Sequence, residues 1–330
     1  MNYELKKCYL CRRNLEILCL MKKYLFSLLV MVILTAGFSS CKPDQEIYNP
    51  KCKISKIWHR SEVGNPSELF VYDNKGKELQ QIIVDSLYSF DFSYNKDKTV
   101  SKIVHDGVNY TETVDFQWTD CLVDKMSYQV DGNVVLEYTF HRIDDKKDKA
   151  FGRIDYIEVM YDGAFYEPYF DDITNRNLKH PLYDRIFGDY KEIAEVVANS
   201  GSKGLTMYSV KKLTYAPGDN KKYESIDSLV EEFPVFQKVV VHKYYYTDKK
   251  DSVVYSPFYG LPFAYADVMG YSLKMPEYVN VKTYVANSLS KDEHITYEYV
   301  VINDKHYPRH FKTRSSENNN IPINTYIWYK

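Results

Sequence analysis

The 330-residue sequence predicts a mainly β protein: a curved antiparallel meander or barrel-like sheet, with one amphipathic helix and room for a second short helix. Three observations carry this. Aromatic residues abound, with 33 Tyr, 16 Phe and 3 Trp, and they alternate with polar residues at the period of two that gives a strand one apolar and one wet face. Asp-Gly pairs fall between successive alternating runs, where hairpins need positive φ at low cost. A diffuse repeat also recurs: an aromatic pair, a polar turn, then an aliphatic residue.

The chain begins with a segment of a different kind. In MKKYLFSLLVMVILTAGFSS, Met21 to Ser40, two lysines precede an apolar core that is closed by small residues. That is a secretory signal, too short in its apolar part to span a bilayer comfortably. Residues 1–20 before it read as an overextended gene start, and Cys8-x-x-Cys11 within them has no second ligand pair at metal spacing. Ser39-Ser40-Cys41 resembles a bacterial lipobox, in which Cys41 becomes the first mature residue and its thiol carries lipid. The polar stretch Lys42 to Pro50 is then a tether.

Residues 51–330 form the expected single domain. Tyr88, Phe90, Phe92 and Tyr94 share one face of a first run; Val114, Phe116 and Trp118 share one face of a second. Val134, Leu136, Tyr138 and Phe140, and later Ile295, Tyr297, Tyr299 and Val301, repeat the scheme. Asp106-Gly107, Asp131-Gly132 and Asp162-Gly163 are hairpin turns, and Asp73-Asn74-Lys75-Gly76 is a longer one. The repeat is legible at residues 69–82, 91–103 and 115–126, and more distantly at 298–311. Pro181 to Asn199 carries Ile186, Phe187, Tyr190, Ile193 and Val197 at helical spacing and predicts a helix packed on the sheet. Gly260–Met275, apolar and holding Pro262, fits a second short helix. Tyr223–Phe233 fits either helix or strand.

Charge narrows the function classes. Lys6, Lys7, Arg12, Arg13, Lys22 and Lys23 against Glu4 and Glu16 place +4 in residues 1–40, so the overall −2 leaves −6 for the mature chain. A mildly acidic chain without a basic run argues against nucleic acid as a partner. GxGxxG, GxxxxGK, GxSxG and HExxH are all absent. His306 and His310 lie about 13 Å apart on an extended chain, too far for one metal, and Pro308 forbids the helix that would join them. The adjacent acids Asp144-Asp145, Asp171-Asp172 and Glu231-Glu232 select no glycosidase pair by themselves. No catalytic, cofactor or metal residue is therefore expected, and the protein is expected to be no enzyme. Cys52 and Cys121 are free to bridge or not in an oxidising compartment. Exposed aromatic rings can stack on sugars, and Trp58, Trp118 and Trp328 are the first to consider, although alternation places most rings in a core. A lipid-facing barrel would need strands of about 10 residues with an apolar outer band, longer than most of these runs.

Taken together, Ser39-Ser40-Cys41, the acids Asp44 and Glu46 behind it, the tyrosine-rich hairpins, Ser256-Pro257-Phe258-Tyr259-Gly260 and the closing Tyr297, Tyr299, Asp304, Tyr307, Pro308, Tyr326 and Tyr329 resemble a group of Bacteroidota lipoproteins described as having a porin-like fold. Asp73-Asn74-Lys75-Gly76 is also similar to the tyrosine–aspartate repeats of bacterial surface shells. The resemblance implies a barrel-like sheet outside the cytoplasm and no activity, since none is assigned to that group. The expectation is an outer-membrane lipoprotein, surface-exposed rather than periplasm-facing, held by its lipid and binding a glycan, peptide or protein. A structural or assembly role beside another envelope component is the alternative, and a hydrolase the third.

Overall fold

The computed structural model describes residues 52–61, 64–162, 181–183, 204–217, 223–246, 254–261 and 272–330. Within the compact unit Gln45–Lys330, sixteen antiparallel strands close into an up-and-down barrel. In chain order they are β1 (Ile54–His59), β2 (Glu68–Tyr72), β3 (Leu79–Val84), β4 (Tyr88–Tyr94), β5 (Val100–Asp106), β6 (Thr111–Thr119), β7 (Leu122–Val130), β8 (Asn133–Arg142), β9 (Ile154–Asp162), β10 (Leu205–Pro217), β11 (Tyr223–Phe233), β12 (Lys238–Tyr245), β13 (Tyr278–Val285), β14 (Ser288–Ile302), β15 (Pro308–Ser315) and β16 (Ile323–Tyr329). Each strand pairs with its sequence neighbours, and β1 pairs with β16 to close the ring. Closure removes both sheet edges, which would otherwise template aggregation. Tyr223–Phe233 is a strand. Of the two expected helices, only residues 181–183 and the flanks of Gly260–Met275 are described; the rest lies outside the described residues.

The predicted aromatic faces point into the lumen. Phe90, Phe92, Val114, Phe116, Leu136, Tyr138 and Phe140 join one buried cluster fed by strands all round the ring. A single-layer wall has little on its outside to cover a side chain, so this shared buried cluster lies in the lumen. Each fully buried side chain of this size contributes roughly 1.5–3 kcal/mol. Two expected members depart. Val135 is buried in place of Val134, because the register slips between Tyr128 and Gln129 where β7 meets β8. Val301 is exposed, because a bulge after Tyr299 turns it outward. One extra residue reverses the alternation downstream of it.

The repeat has a structural cause and eight copies. At the end of every even-numbered strand a side-chain donor reaches back to a main-chain carbonyl at the start of the preceding odd-numbered strand. Tyr72 Oη donates to the Ile54 carbonyl (2.7 Å), Tyr94 to Leu79 (2.6 Å), Tyr215 to Ile154 (2.9 Å), Tyr246 to Ile226 (2.7 Å) and Tyr329 to Pro308 (2.6 Å). Tyr299 donates to Pro276, just ahead of β13. Trp118 Nε1 serves on β6, donating to Val100 (2.7 Å), and Arg142 Nη2 on β8, donating to Val123 (2.8 Å). Each clamp lashes one hairpin across its open end.

The turns divide between two rims. Asp131-Gly132 is the expected two-residue turn, with φ of 49° and 80°. Asp162-Gly163 is not: β9 pairs with β10, which begins only at Leu205, so a long connection follows Asp162. Part of that connection is held inside the barrel. The N–H groups of Leu182 and Tyr183 donate to the carboxylate of Glu112 on β6 (3.3 and 3.1 Å), which also accepts from Tyr128 Oη (2.6 Å). Leu182, Tyr183 and Glu112 are all buried, and the Tyr183 ring meets Tyr128 edge-on at 5.2 Å. Burial, and then the charge of Glu112, pushes the Tyr128 hydroxyl well above its ordinary pKa.

The bridge left open between Cys52 and Cys121 does not form. Cys52 is a free, buried thiol near Asn303 Nδ2 (3.5 Å). Cys121 is disulfide-bonded, and since Cys52 is free its partner lies outside the described residues.

Candidate functional site

The outer wall is charged strand after strand. Lys102 pairs with Asp115 (3.2 Å), Lys125 with Glu137 (2.7 Å), His141 with Glu158 (3.1 Å), Lys212 with Glu232 (2.9 Å), Lys243 with Asp227, Lys282 with Asp292 (3.7 Å), and Glu298 with both Lys312 (3.1 Å) and Arg314 (3.3 Å). These residues lie on the face opposite the buried aromatics. The wall is therefore the reverse of a lipid-facing barrel, which shows an apolar band outward.

Inside, the polar side chains of β10 to β15 gather toward the rim where odd-numbered strands turn into even-numbered ones. Glu231 accepts from Ser209 Oγ (2.7 Å) and faces Lys211 Nζ at 3.8 Å, while the Lys211 ammonium also lies 5.5 Å from the Tyr138 ring centre. Glu293 accepts from Ser315 Oγ and pairs with Lys291 (3.1 Å). Burial pushes the His242 imidazole below its ordinary pKa, partly offset by Glu231 and Glu293. Burial works to raise the Glu293 carboxyl, but the bonds from Ser315 and Lys291 outweigh it and the net shift is downward. Glu231 and Glu293 thus each have a hydroxyl and an ammonium beside them, as buried charge requires.

The outer wall changes character where the ring closes. Trp58 on β1 and Trp328 on β16 both face outward, with ring centres 5.8 Å apart and planes at 60°. Trp58 is largely covered, and its Nε1 donates to the Gly64 carbonyl (3.3 Å); Trp328 is 45% exposed. The register places Lys56 directly opposite Trp328 and Trp58 opposite Tyr326. Lys56 Nζ lies 5.9 Å from the Trp58 ring centre, and the Arg309 guanidinium 5.8 Å from that of Trp328. On the next strand pair, the His310 and Tyr326 rings stack at 4.2 Å, and His310 Nε2 lies 3.0 Å from Asn324 Oδ1. The seam is thus a strip of outward aromatic faces with cations over them, drawn from both ends of the chain.

Of the three tryptophans singled out, the structure brings Trp58 and Trp328 together. Trp118 instead lies on the lumenal side, clamping Val100. His306 sits in the β14–β15 turn with φ of 63°, on a different element from outward-facing His310. Glu231 and Glu232 point to opposite faces, Asp144 and Asp145 lie in the β8–β9 loop, and Asp171-Asp172 and Cys41 are outside the described residues. No group of three or more His, Cys, Asp or Glu side chains that could hold a metal occurs among the described residues. Reading the sequence did not single out Lys56, which the register sets opposite Trp328 from the far end of the chain, or Arg309, which lies over Trp328 from the neighbouring strand.

No family model matches the chain. No curated protein matches it. Among solved structures, 23 chains match. One is a porin-like protein from Bacteroides vulgatus, 10% identical with a TM-score of 0.44, the match covering 85% of this chain and 99% of that one. At that identity the likeness says nothing of the site.

Proposed function

We propose that the protein is a lipoprotein of the outer membrane, anchored through Cys41, whose barrel is a non-catalytic binding module that holds a glycan on the β1–β16 seam. One observation carries the reading: exposed Trp328 packs beside Trp58, which places two indole rings together on the outer wall. Indole faces stack on the C–H faces of sugar rings at little cost in side-chain entropy. The seam also lies within a few residues of Lys53, where the described chain enters β1. Glycan binding measured on the purified full chain tests this. Trp328→Ala should abolish it without shifting the unfolding midpoint, and unchanged binding would sink the proposal.

The anchor has its own test. Cys41→Ser should release the protein into the aqueous phase of a detergent partition, because the outer wall is charged. Retention in the membrane would refute lipidation at Cys41. Cleavage before Cys41 also removes Cys8, Cys11 and Cys19, so mature protein should have free thiols at Cys52 and Cys121. A disulfide mapped between Cys121 and Cys41 after maturation would refute a lipidated Cys41.

A second reading, assembly with another envelope protein, rests on the rim farther from the chain's entry. Leu87, Val108, Val235, Val285, Leu289 and Ile321 stand exposed at or beside the tips of five of its hairpins. Exposed apolar residues collected on one rim favour a protein contact. Co-purification that is lost on converting Leu87, Val108 and Leu289 to serine, with Trp328→Ala silent, would favour this reading over the first.

A further inference from the structure

Along the outer wall, cations are neutralised from the neighbouring strand: Lys102 by Asp115, Lys125 by Glu137, Lys212 by Glu232. The seam breaks that rule. Lys56 and Arg309 lie over the rings of Trp58 and Trp328, and neither has an acidic partner among the described residues. In a chain of net charge −2 this is a local excess of positive charge around aromatic faces.

We infer that the ligand of the seam is an acidic polysaccharide whose repeating sugar carries a carboxylate, with the sugar ring on Trp328 and the carboxylate on Arg309 and Lys56. This rests on the reading of the seam as a glycan site and adds the charge class of the glycan. A planar guanidinium presents paired N–H donors that match a carboxylate, and it already lies over the ring on which the sugar would stack. Lys56, directly opposite Trp328 across the strand pair, supplies a second positive charge from the other side of the ring. Since both groups are at the surface, the attraction is salt-sensitive.

The test uses the full chain with three polymers: polygalacturonate, the same polymer fully methyl-esterified, and a neutral β-glucan. Polygalacturonate should bind about tenfold or more tightly than its ester, with the advantage shrinking between 0.05 and 0.2 M salt. Arg309→Gln should lose about tenfold toward polygalacturonate and leave the ester unchanged, whereas Trp328→Ala should lose both. Equal binding of acid and ester, or Arg309→Gln without effect, overturns the acidic-ligand inference while Trp328 dependence keeps the glycan site. Loss of neither polymer in Trp328→Ala, or no binding of any of the three, overturns the site itself. Binding of vesicles containing anionic lipid, Arg309-dependent and without polygalacturonate binding, overturns both in favour of a membrane contact. Unfolding midpoints of the two variants within about 1 °C of the parent show that these losses are local.

Discussion

Removing one clamp hydroxyl tests the account of the eightfold repeat. Tyr215→Phe deletes the donor that reaches Ile154 across a buried contact, and Tyr94→Phe deletes the donor to Leu79 in a partly buried one. Both keep the ring and its packing. A neutral hydrogen bond nets about 1 kcal/mol, and a buried acceptor left unsatisfied costs about 1–3 kcal/mol. Tyr94→Phe should therefore cost about 1 kcal/mol and Tyr215→Phe about 2 kcal/mol, each kcal/mol lowering the midpoint by about 2–4 °C in a domain of this size. The clamps sit on separate hairpins, so the double variant should equal the two costs together within about 0.5 kcal/mol. Urea unfolding followed by tryptophan fluorescence reads all three. Tyr156→Phe is the control: its ring stacks on His141 on the outer wall at 4.2 Å, and its hydroxyl clamps nothing. If Tyr156→Phe costs as much as Tyr94→Phe, or if both clamp variants unfold within about 0.3 kcal/mol of the parent, the clamps do not hold the hairpins and the repeat needs another cause.

Glu112→Gln should cost about 2–4 kcal/mol, since three donors converge on a buried carboxylate and one of them then meets an amide N–H₂; a loss below 1 kcal/mol in urea unfolding would show that residues 181–183 are held by packing alone. His242 binds protons more weakly folded than unfolded, so between its ordinary pKa of about 6.5 and its lower folded value the unfolded state carries more protons. Stability should be full above about pH 6.5 and fall as the pH drops through that window, and His242→Gln should flatten the slope of unfolding free energy against pH there. Ala286 and Asn287 both occupy left-handed backbone, φ 47° and 63°. Replacing the pair by Asn-Gly should stabilise by about 1 kcal/mol, and a lower midpoint would mean that the β13–β14 turn is not a strained one.

Period-two alternation made the strands legible, because burial on one side of a closed wall writes itself into every second residue. It failed at Val134 and Val301, where a bulge inserts one residue that local composition does not announce. Turns were legible where glycine marked them, as at Asp131-Gly132. They were missed at Asp85-Ser86, Asp120-Cys121 and Ala286-Asn287, where residues with side chains take positive φ in pairs because strand twist demands it. Four copies of the repeat could be seen. In others, Arg142 does the work of a tyrosine, or, as at Tyr246, a long connection follows in place of a short polar turn. The seam was the hardest to see. Trp58 and Trp328 were named as single candidates, but their meeting depends on β1 pairing with β16, a contact that no local pattern encodes.

Where the proposed ligand would meet this barrel follows from where its charges lie. A Lys or Arg facing lipid at the bilayer midplane costs about 2–4 kcal/mol, and here lysines on most strands from β5 to β15 face outward with carboxylates beside them. In water each such pair is worth only about 0–1 kcal/mol, so the pairs are a weak reason for the fold but a strong reason to leave the wall wet. The lumen between β2 and β9 is lined by buried aromatic and aliphatic side chains. The proposed recognition is on the wall and the rims. On a wall where each lysine already has its counter-charge, a polymer gains little by displacing one carboxylate with another. Lys56 and Arg309, lacking that counter-charge and standing over Trp58 and Trp328, are where an incoming carboxylate adds attraction without first breaking a pair.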